Sequence, residues 1–213
     1  MRTYRILIVD DHSIVRRGLR QLFEREVDFA VCGDTGDAAE VPELVDRLQP
    51  DIVLTDLTLD GISGIDLARR LSSEHPSIPV LILSMHDEML YATRALQAGA
   101  RGYVMKRRSE AEIVRAAREV LAGRTYVSTE VRQSLPDLTE ESADIIDCLT
   151  DREFEVFELL GQGYAPRHIA ERLNLSVNTI EVYRERIKAK LGLSTSSMLL
   201  RYAIQWWKDQ GSG

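Results

Sequence analysis

The sequence predicts an α/β doubly wound five-stranded parallel sheet, of strand order 2-1-3-4-5, followed by an all-α four-helix domain built around a helix-turn-helix. Three observations predict it. Five short apolar runs alternate with helix-period segments over roughly the first 120 residues, the pattern of parallel strands joined by right-handed helical crossovers. A turn-rich acidic stretch then interrupts the pattern, and from Thr150 onward the periodic segments are helical, with caps and glycine stops at helix spacing.

In chain order, the apolar runs are Tyr4–Val9, Phe29–Cys32, Ile52–Thr55, Val80–Ser84 and Gly102–Met105. Helix-period segments lie near residues 14–25, 38–48, 64–74, 88–98 and 110–121. The stretch Arg124–Val131 has no clear period, and Pro136–Glu141 is an acidic turn, so the segment reads as a linker with room for a short helix. Thr150 and Glu153 form a capping box opening a helix with Phe154, Phe157, Leu159 and Leu160, which stops at Gly161/Gly163. Pro166 fits a helix first turn, with Ile169, Ala170 and Leu173 on one face. Asn174-Leu175-Ser176 makes a tight turn, and Ser176 caps a third helix through Ile180, Ile187 and Leu191. Gly192 ends that helix, and a fourth runs from Ser194 to about Gln210. The domain boundaries this implies are residues 1–123, a linker over 124–148, and 149–213. Gly211-Ser212-Gly213 reads as a frayed or appended end.

Bulk properties narrow the function classes. The longest apolar runs are strand-sized and far too short to span a bilayer, and Met1-Arg2-Thr3-Tyr4-Arg5 leaves no room for a signal peptide, so the expectation is a cytoplasmic protein with no membrane partner. Cys32 and Cys148 have no metal-ligand spacing around them and read as free thiols. Net charge is −7, which taken alone argues against nucleic acid. The charge is uneven, however. Residues 1–149 carry 18 Lys+Arg against 26 Asp+Glu, whereas residues 164–201 carry 7 against 3. A basic segment inside an acidic chain is compatible with DNA binding.

In a parallel sheet, function gathers at the carboxyl ends of the strands. Those ends here carry Asp10 and Asp11 after strand one, Asp56 at strand three, Ser84 at strand four and Lys106 after strand five. Three crowded carboxylates repel unless a cation joins them, and hard oxygen ligands with room for water suit Mg²⁺. The set leaves one carboxylate as a nucleophile toward phosphorus, with Lys106 as a second clamp and Ser84 as a hydrogen-bond donor. An Asp-Asp pair after a strand is often only a solvated turn. Five chemically compatible residues at four strand ends are much harder to obtain by chance.

Residues 4–122 resemble a response-regulator receiver domain. The resemblance rests on Ile6–His12, Asp51–Leu57, Gly61, Gly64, Leu83-Ser84 and Gly99–Lys106. It implies that Asp56 is the phosphoacceptor, fed by a partner histidine kinase. It also implies that Asp11 and Asp56 hold Mg²⁺ with the main-chain carbonyl of Thr58, and Asp10 mainly through water. Ser84 and Tyr103 would be the switch pair, the hydroxyl moving to the phosphoryl group and the ring turning inward behind it. Without the family, Tyr103 is an ordinary half-buried strand tyrosine. Family members usually carry proline four residues after the phosphoacceptor. Asp60 stands there instead, an extra carboxylate that either tunes the pocket or faces solvent. Arg107-Arg108 after Lys106 is more basic than the family pattern.

The third helix of the C-terminal domain is the expected DNA reader. Turning Ile180, Ile187 and Leu191 inward puts Asn178, Glu181, Val182, Glu185, Arg186 and Ala189 outward. Asn178 suits adenine, a glutamate suits cytosine and Val182 suits a thymine methyl, whereas Arg167, Thr179, Arg186, Lys188 and Lys190 suit phosphates. Arg184 lies toward the core edge, placed to pair with a carboxylate. Residues 149–208 resemble the output domain of the NarL/FixJ (LuxR-type) regulators. That resemblance rests on Leu149–Glu153, Val156, Leu159-Leu160, Gly163, Ile169-Ala170, Leu173, Leu175-Ser176, Thr179–Arg184 and Lys190–Gly192. Many relatives carry lysine at the positions of Glu181 and Glu185, and two acids facing DNA reduce attraction. The family's last helix contributes to dimerisation on DNA. Trp206 and Trp207 are candidates for that contact, or alternatively for capping the four-helix core.

The reading is therefore a two-component response regulator, not an enzyme. Phosphoryl transfer from a histidine kinase would control dimerisation and binding of promoter DNA. Two rivals stand beside it: a phosphorylation-independent DNA-binding protein whose receiver is a dimerisation scaffold, and an aspartate-based phosphohydrolase. The second normally needs an acid two residues past its nucleophile, where this chain has Thr58.

Overall fold

A computed structural model describes residues 2–134 and 145–210, so the Pro136–Glu141 turn and Gly211–Gly213 lie outside the described residues. The chain separates into two compact units, Met1–Leu138 and Thr139–Gly213.

In the first unit, β1 (Tyr4–Val9), α1 (Ser13–Glu24), β2 (Phe29–Thr35), α2 (Val41–Leu48), β3 (Ile52–Asp56) and α3 (Gly64–Glu74) alternate. They are followed by β4 (Val80–Ser84), α4 (Glu88–Gln97), β5 (Gly102–Met105), α5 (Glu110–Leu121) and α6 (Thr129–Ser134). All strand pairs are parallel and the order is 2-1-3-4-5, as expected. The central strands are buried throughout, and apolar until the polar residues at their carboxyl ends, because helices cover both faces of the sheet. Ile6, Ile8, Ile52, Leu54, Leu81 and Leu83 share one core cluster with Leu22 and Phe23 of α1 and Ile113, Val114 and Val120 of α5. At roughly 1.5–3 kcal/mol per fully buried large side chain, this layer is the main stabiliser of the unit.

Two local differences have physical causes. β2 extends to Thr35 rather than stopping at Cys32, because a register shift pairs Ile6 with Val31 and Leu7 with Gly33. Cys32 is the extra residue, and its thiol donates to the Ile6 carbonyl at 3.2 Å. The aperiodic stretch after α5 is not free chain either. Tyr126 bridges Gly102 in parallel, and α6 follows it.

In the second unit, a 3-10 turn at Ile145–Cys148 leads into α7 (Asp151–Gly161), α8 (Pro166–Arg172), α9 (Val177–Lys190) and α10 (Ser196–Gln210). The Thr150 capping box forms as read, with Thr150 Oγ1 accepting from Glu153 N–H and the Glu153 carboxylate accepting from Thr150 N–H. Asn174 takes a left-handed conformation (φ 51°), which makes the short turn between α8 and α9, and Ser176 caps α9. Phe154, Phe157, Leu160, Ile169, Leu173, Ile180, Ile187, Leu199 and Ala203 are buried as the core. α7 and α10 cross closely at Gly161, where a Cβ would come within 2.6 Å of the Ala203 carbonyl oxygen. Trp206 packs edge-on against Phe154, with centroids 5.4 Å apart, and tilts against Phe157 at 5.5 Å, so one of the two tryptophans caps the core. Met198 and Leu200 stay exposed on α10. No helix among the described residues is long and apolar enough to cross a membrane.

Candidate functional site

Parallel strands put their carboxyl ends on one rim, and the structure gathers Asp10, Asp11, Asp56 and Lys106 there. Ligand atoms of Asp10, Asp11, His12 and Asp56 all lie within 4.8 Å of one another. Lys106 Nζ sits 2.6 Å from Asp10 Oδ2 and 2.8 Å from Asp56 Oδ2, joining the ends of β1 and β3 across the rim. Asp10 is 1% exposed and Asp56 8%, so these charges meet with little solvent between them.

The backbone fixes the pocket. Asp10 Oδ1 accepts from His12 N–H at 2.9 Å, and Asp56 Oδ1 accepts from Leu57 N–H at 2.8 Å. Lys106 N–H donates to the Ser84 carbonyl at 2.7 Å, which ties the lysine to β4. Behind Asp56, the start of α3 approaches so closely that a Cβ on Gly64 would lie 1.9 Å from the Asp56 carbonyl oxygen. Only glycine fits there. Arg16 of α1 donates from Nη1 to the carbonyls of Asp10 (2.6 Å) and Asp11 (3.2 Å), holding the acidic turn from below.

Burial pushes the Asp56 carboxyl above the ordinary carboxylate range, against the pull of Lys106. Burial also works against the Lys106 charge, but Asp56 and Asp10 outweigh it and hold the ammonium above the usual lysine value. The arrangement is a half-buried cation between two buried carboxylates, one of which is poised for a second electrophile or cation.

Ser84 and Tyr103 are both fully buried. Ser84 Oγ accepts from His86 N–H at 2.9 Å, and the Tyr103 hydroxyl donates to the His86 carbonyl at 3.2 Å, so both expected switch residues grip the loop that starts α4. Thr58 Oγ1 lies 3.2 Å from His86 Nε2. Asp60 is exposed. His12, Arg16 and His86 are members of this pocket that sequence reasoning did not single out. Their signals were adjacency to Asp11, a position one helical turn past His12, and a position two residues past Ser84.

On α9, Asn178, Val182, Glu185 and Arg186 are exposed, whereas Thr179 and Glu181 are half-buried. Arg184 pairs with Glu181 at 2.6 Å, the internal carboxylate contact expected of it. Glu185 pairs with Lys188 at 2.9 Å, and Arg167 on α8 pairs with Glu171 at 3.4 Å. Thr179 shares its hydroxyl with Ser176 at 2.8 Å. Lys190, expected at phosphates, is engaged within its own unit. Its ammonium bonds Glu153 Oε2 at 2.6 Å and the Cys148 carbonyl at 3.0 Å, because the capping box presents a carboxylate beside it.

Known proteins share this arrangement. The family described as the response regulator receiver domain matches residues 6–118, and the bacterial regulatory proteins of the luxR family match residues 147–203. The chain is 33% identical over 211 residues to the oxygen regulatory protein NreC of Staphylococcus epidermidis, covering 94% of this chain and 97% of that one. A LuxR-family two-component response regulator from Aurantimonas sp. SI85-9A1 is 42% identical, with a TM-score of 0.59 over 62% of this chain and 95% of that one. RcsB from Salmonella enterica serovar Typhimurium, bound to promoter rprA with the phosphomimetic BeF3-, is 25% identical. Its TM-score is 0.61 over 94% of this chain and 98% of that one.

Proposed function

The chain belongs to the response regulators that join a receiver domain to a luxR-family DNA-binding domain, transcription factors rather than enzymes, and from that premise we propose that Asp56 is its phosphoacceptor. The observation that carries this is Lys106 bridging Asp10 and Asp56 at the strand ends. An Asp56 carboxylate oxygen attacks the phosphorus of a phosphohistidine on a partner kinase. The P–N bond breaks, the imidazole leaves with the electron pair, and an acyl phosphate remains on Asp56. Lys106 meets the negative charge of the incoming phosphoryl oxygens.

The donor set fits Mg²⁺: carboxylate oxygens of Asp10, Asp11 and Asp56 sit within one ion's reach. Asp11, Asp56 and the Thr58 carbonyl would hold it directly and Asp10 through water. When bound, it supplies charge neutralisation at the phosphoryl group.

Ser84 is released from His86 N–H to donate to the acyl phosphate, and Tyr103 stays buried behind it. The loop Met85–Asp87 and α4 follow, and this shift favours pairing of two copies and binding of promoter DNA through α9. Asn178, Glu181, Val182 and Glu185 meet base edges, while Arg167, Thr179, Arg186 and Lys188 meet phosphates. A kinase partner and a DNA target place this activity in the cytoplasm.

Intact mass after incubation with phosphoramidate and Mg²⁺ tests the reading. One added phosphoryl group on the wild type and none on Asp56→Ala supports it. No adduct on folded wild type overturns it in favour of a phosphate-independent DNA binder with the receiver as scaffold.

A further inference from the structure

The segment that follows α5 returns across the same switch elements. β5 is the last strand of the sheet, an edge whose open backbone groups need cover. Tyr126 supplies it: its N–H donates to the Arg101 carbonyl at 3.0 Å, and its carbonyl accepts from Tyr103 N–H at 2.9 Å. The Tyr126 ring is held from above by Arg115, whose Nη2 donates to the hydroxyl at 2.9 Å. It also belongs to the main core cluster. The chain is thus anchored at Tyr126.

Beyond the anchor, the segment lies on α4. Val127 and Val131 are buried, and α6 packs against α4. A polar contact joins the two. The carboxylate of Glu88, the first residue of α4, accepts from the backbone N–H of Ser128 at 2.5 Å. Ser128 is the residue that starts α6, since its Oγ accepts from Val131 N–H and its carbonyl from Arg132 N–H. Glu88 is itself only 4% exposed, a buried carboxylate committed to a neighbour's backbone.

Glu88 lies four residues after Ser84, and hydrogen bonds hold the chain between them at His86 and Asp87. Ser84 Oγ holds His86 N–H, Tyr103 holds the His86 carbonyl, and Asp87 caps α4 through Met89 N–H at 2.9 Å. A rotation of the Ser84 hydroxyl toward Asp56 removes the first of these bonds and lets the start of α4 shift. A hydrogen bond to a charged acceptor loses its strength over about 1 Å of displacement, so a small shift at α4 is enough to open it.

We infer that the Glu88 carboxylate is a positioning latch, which clamps α6 to α4 until phosphorylation of Asp56 opens it while Tyr126 stays anchored. This rests on Asp56 being the phosphoacceptor and names how that site is read out. Among the described residues, α6 is the last helix of the sheet unit, and freeing it changes how the chain leaves that unit. Opening also bares Val127 and Val131, adding to the apolar surface that Met85 and Met89 already expose for a second copy.

Amide hydrogen exchange on the full chain, read by peptide mass with and without phosphoramidate and Mg²⁺, tests the latch. In the wild type, the phosphoryl adduct should raise exchange over residues 127–134 at least tenfold and leave the Gly102–Tyr103 amides protected. Glu88→Ala should give the same rise without phosphoramidate and still accept one phosphoryl group. Glu88→Gln keeps an acceptor oxygen and should remain close to the unphosphorylated wild type. A wild type that carries the adduct yet shows unchanged exchange over 127–134 overturns the latch. So does a folded Glu88→Ala chain that is as protected as wild type. Absence of the adduct in the same mass spectra overturns the phosphoacceptor assignment itself, so the two failures are told apart.

Discussion

The rim of the parallel sheet and the outward face of α9 both carry dense charge, but they hold it in opposite ways. On the rim, the buried carboxylates of Asp10 and Asp56 both face the half-buried Lys106, so each charge depends on its partners and none can be exchanged without loss. On α9, the Glu185 side chain that pairs with Lys188 is 67% exposed, whereas the Lys188 stem is covered (14% exposed), so water replaces the carboxylate at little cost. The contrast separates two tasks. A chemical pocket needs fixed charges in a dry place. A surface that slides onto a polyanion needs charges that can let go.

Removing the rim's cation is the harshest test of that contrast. Lys106→Met leaves Asp10 and Asp56 facing each other without a counter-charge, and a loss of about 3 kcal/mol is expected near neutral pH. The sign with pH follows from Asp56. Burial raises its pKa, so its favourable contribution is present in acid and is lost as pH rises through that raised value. The Lys106→Met deficit should therefore shrink as pH falls, and Mg²⁺ should narrow it at neutral pH. Urea unfolding at several pH values checks this; a deficit that does not change with pH would break the account.

A packing test in the other unit comes next. Gly161→Ala drives a Cβ to within 2.6 Å of the Ala203 carbonyl, a backbone atom that cannot swing aside. A loss of about 2 kcal/mol is expected, from forced separation of α7 and α10. Calorimetry of the full chain should show the transition of the helical unit fall while that of the sheet unit stays in place.

Much of the rim was legible because the fold's geometry converts sequence position into space. Strand ends of a parallel sheet must share one edge, so Asp10, Asp56, Ser84 and Lys106 can be brought together on paper. The seam around Tyr126 and Glu88 was not legible. It depends on a backbone bridge at Tyr126 and a side-chain-to-backbone bond at Glu88, neither of which leaves a period in the sequence. The internal partner of Lys190, expected at phosphates, was not legible for a related reason. Helical spacing puts it near the outward face, but its long side chain reaches back to Glu153, a partner 37 positions away that no helical wheel contains. Arg184 shows the converse, since its partner Glu181 lies on the same helix three residues before it.

Glu153 gives a smaller effect with its own sign. Burial opposes its charge, but the Lys190 ammonium and the Thr150 N–H and hydroxyl outweigh burial and hold its carboxyl below the usual range. Its contribution is present above the ordinary glutamate pKa and is lost as pH falls through the depressed value. Glu153→Gln keeps the capping geometry and deletes the ion pair, so a loss of about 1 kcal/mol is expected at neutral pH and none in acid. A pH-independent difference between the two proteins would show that the cap, rather than the charge, carries the effect.

The smallest change in stability belongs to Glu185, and there the two regions diverge most clearly. As an exposed i,i+3 partner of Lys188 it contributes no more than about 0.5 kcal/mol to the fold. Its effect on DNA is larger, because it both repels phosphates and occupies Lys188. Glu185→Gln frees one cation for a phosphate, so the slope of log affinity against log salt on a random-sequence duplex should steepen by about one. Affinity at low salt should rise with it. If the slope is unchanged while stability is also unchanged, Lys188 does not meet the backbone. The outward face of α9 would then read DNA through Asn178, Val182 and Arg186 without it.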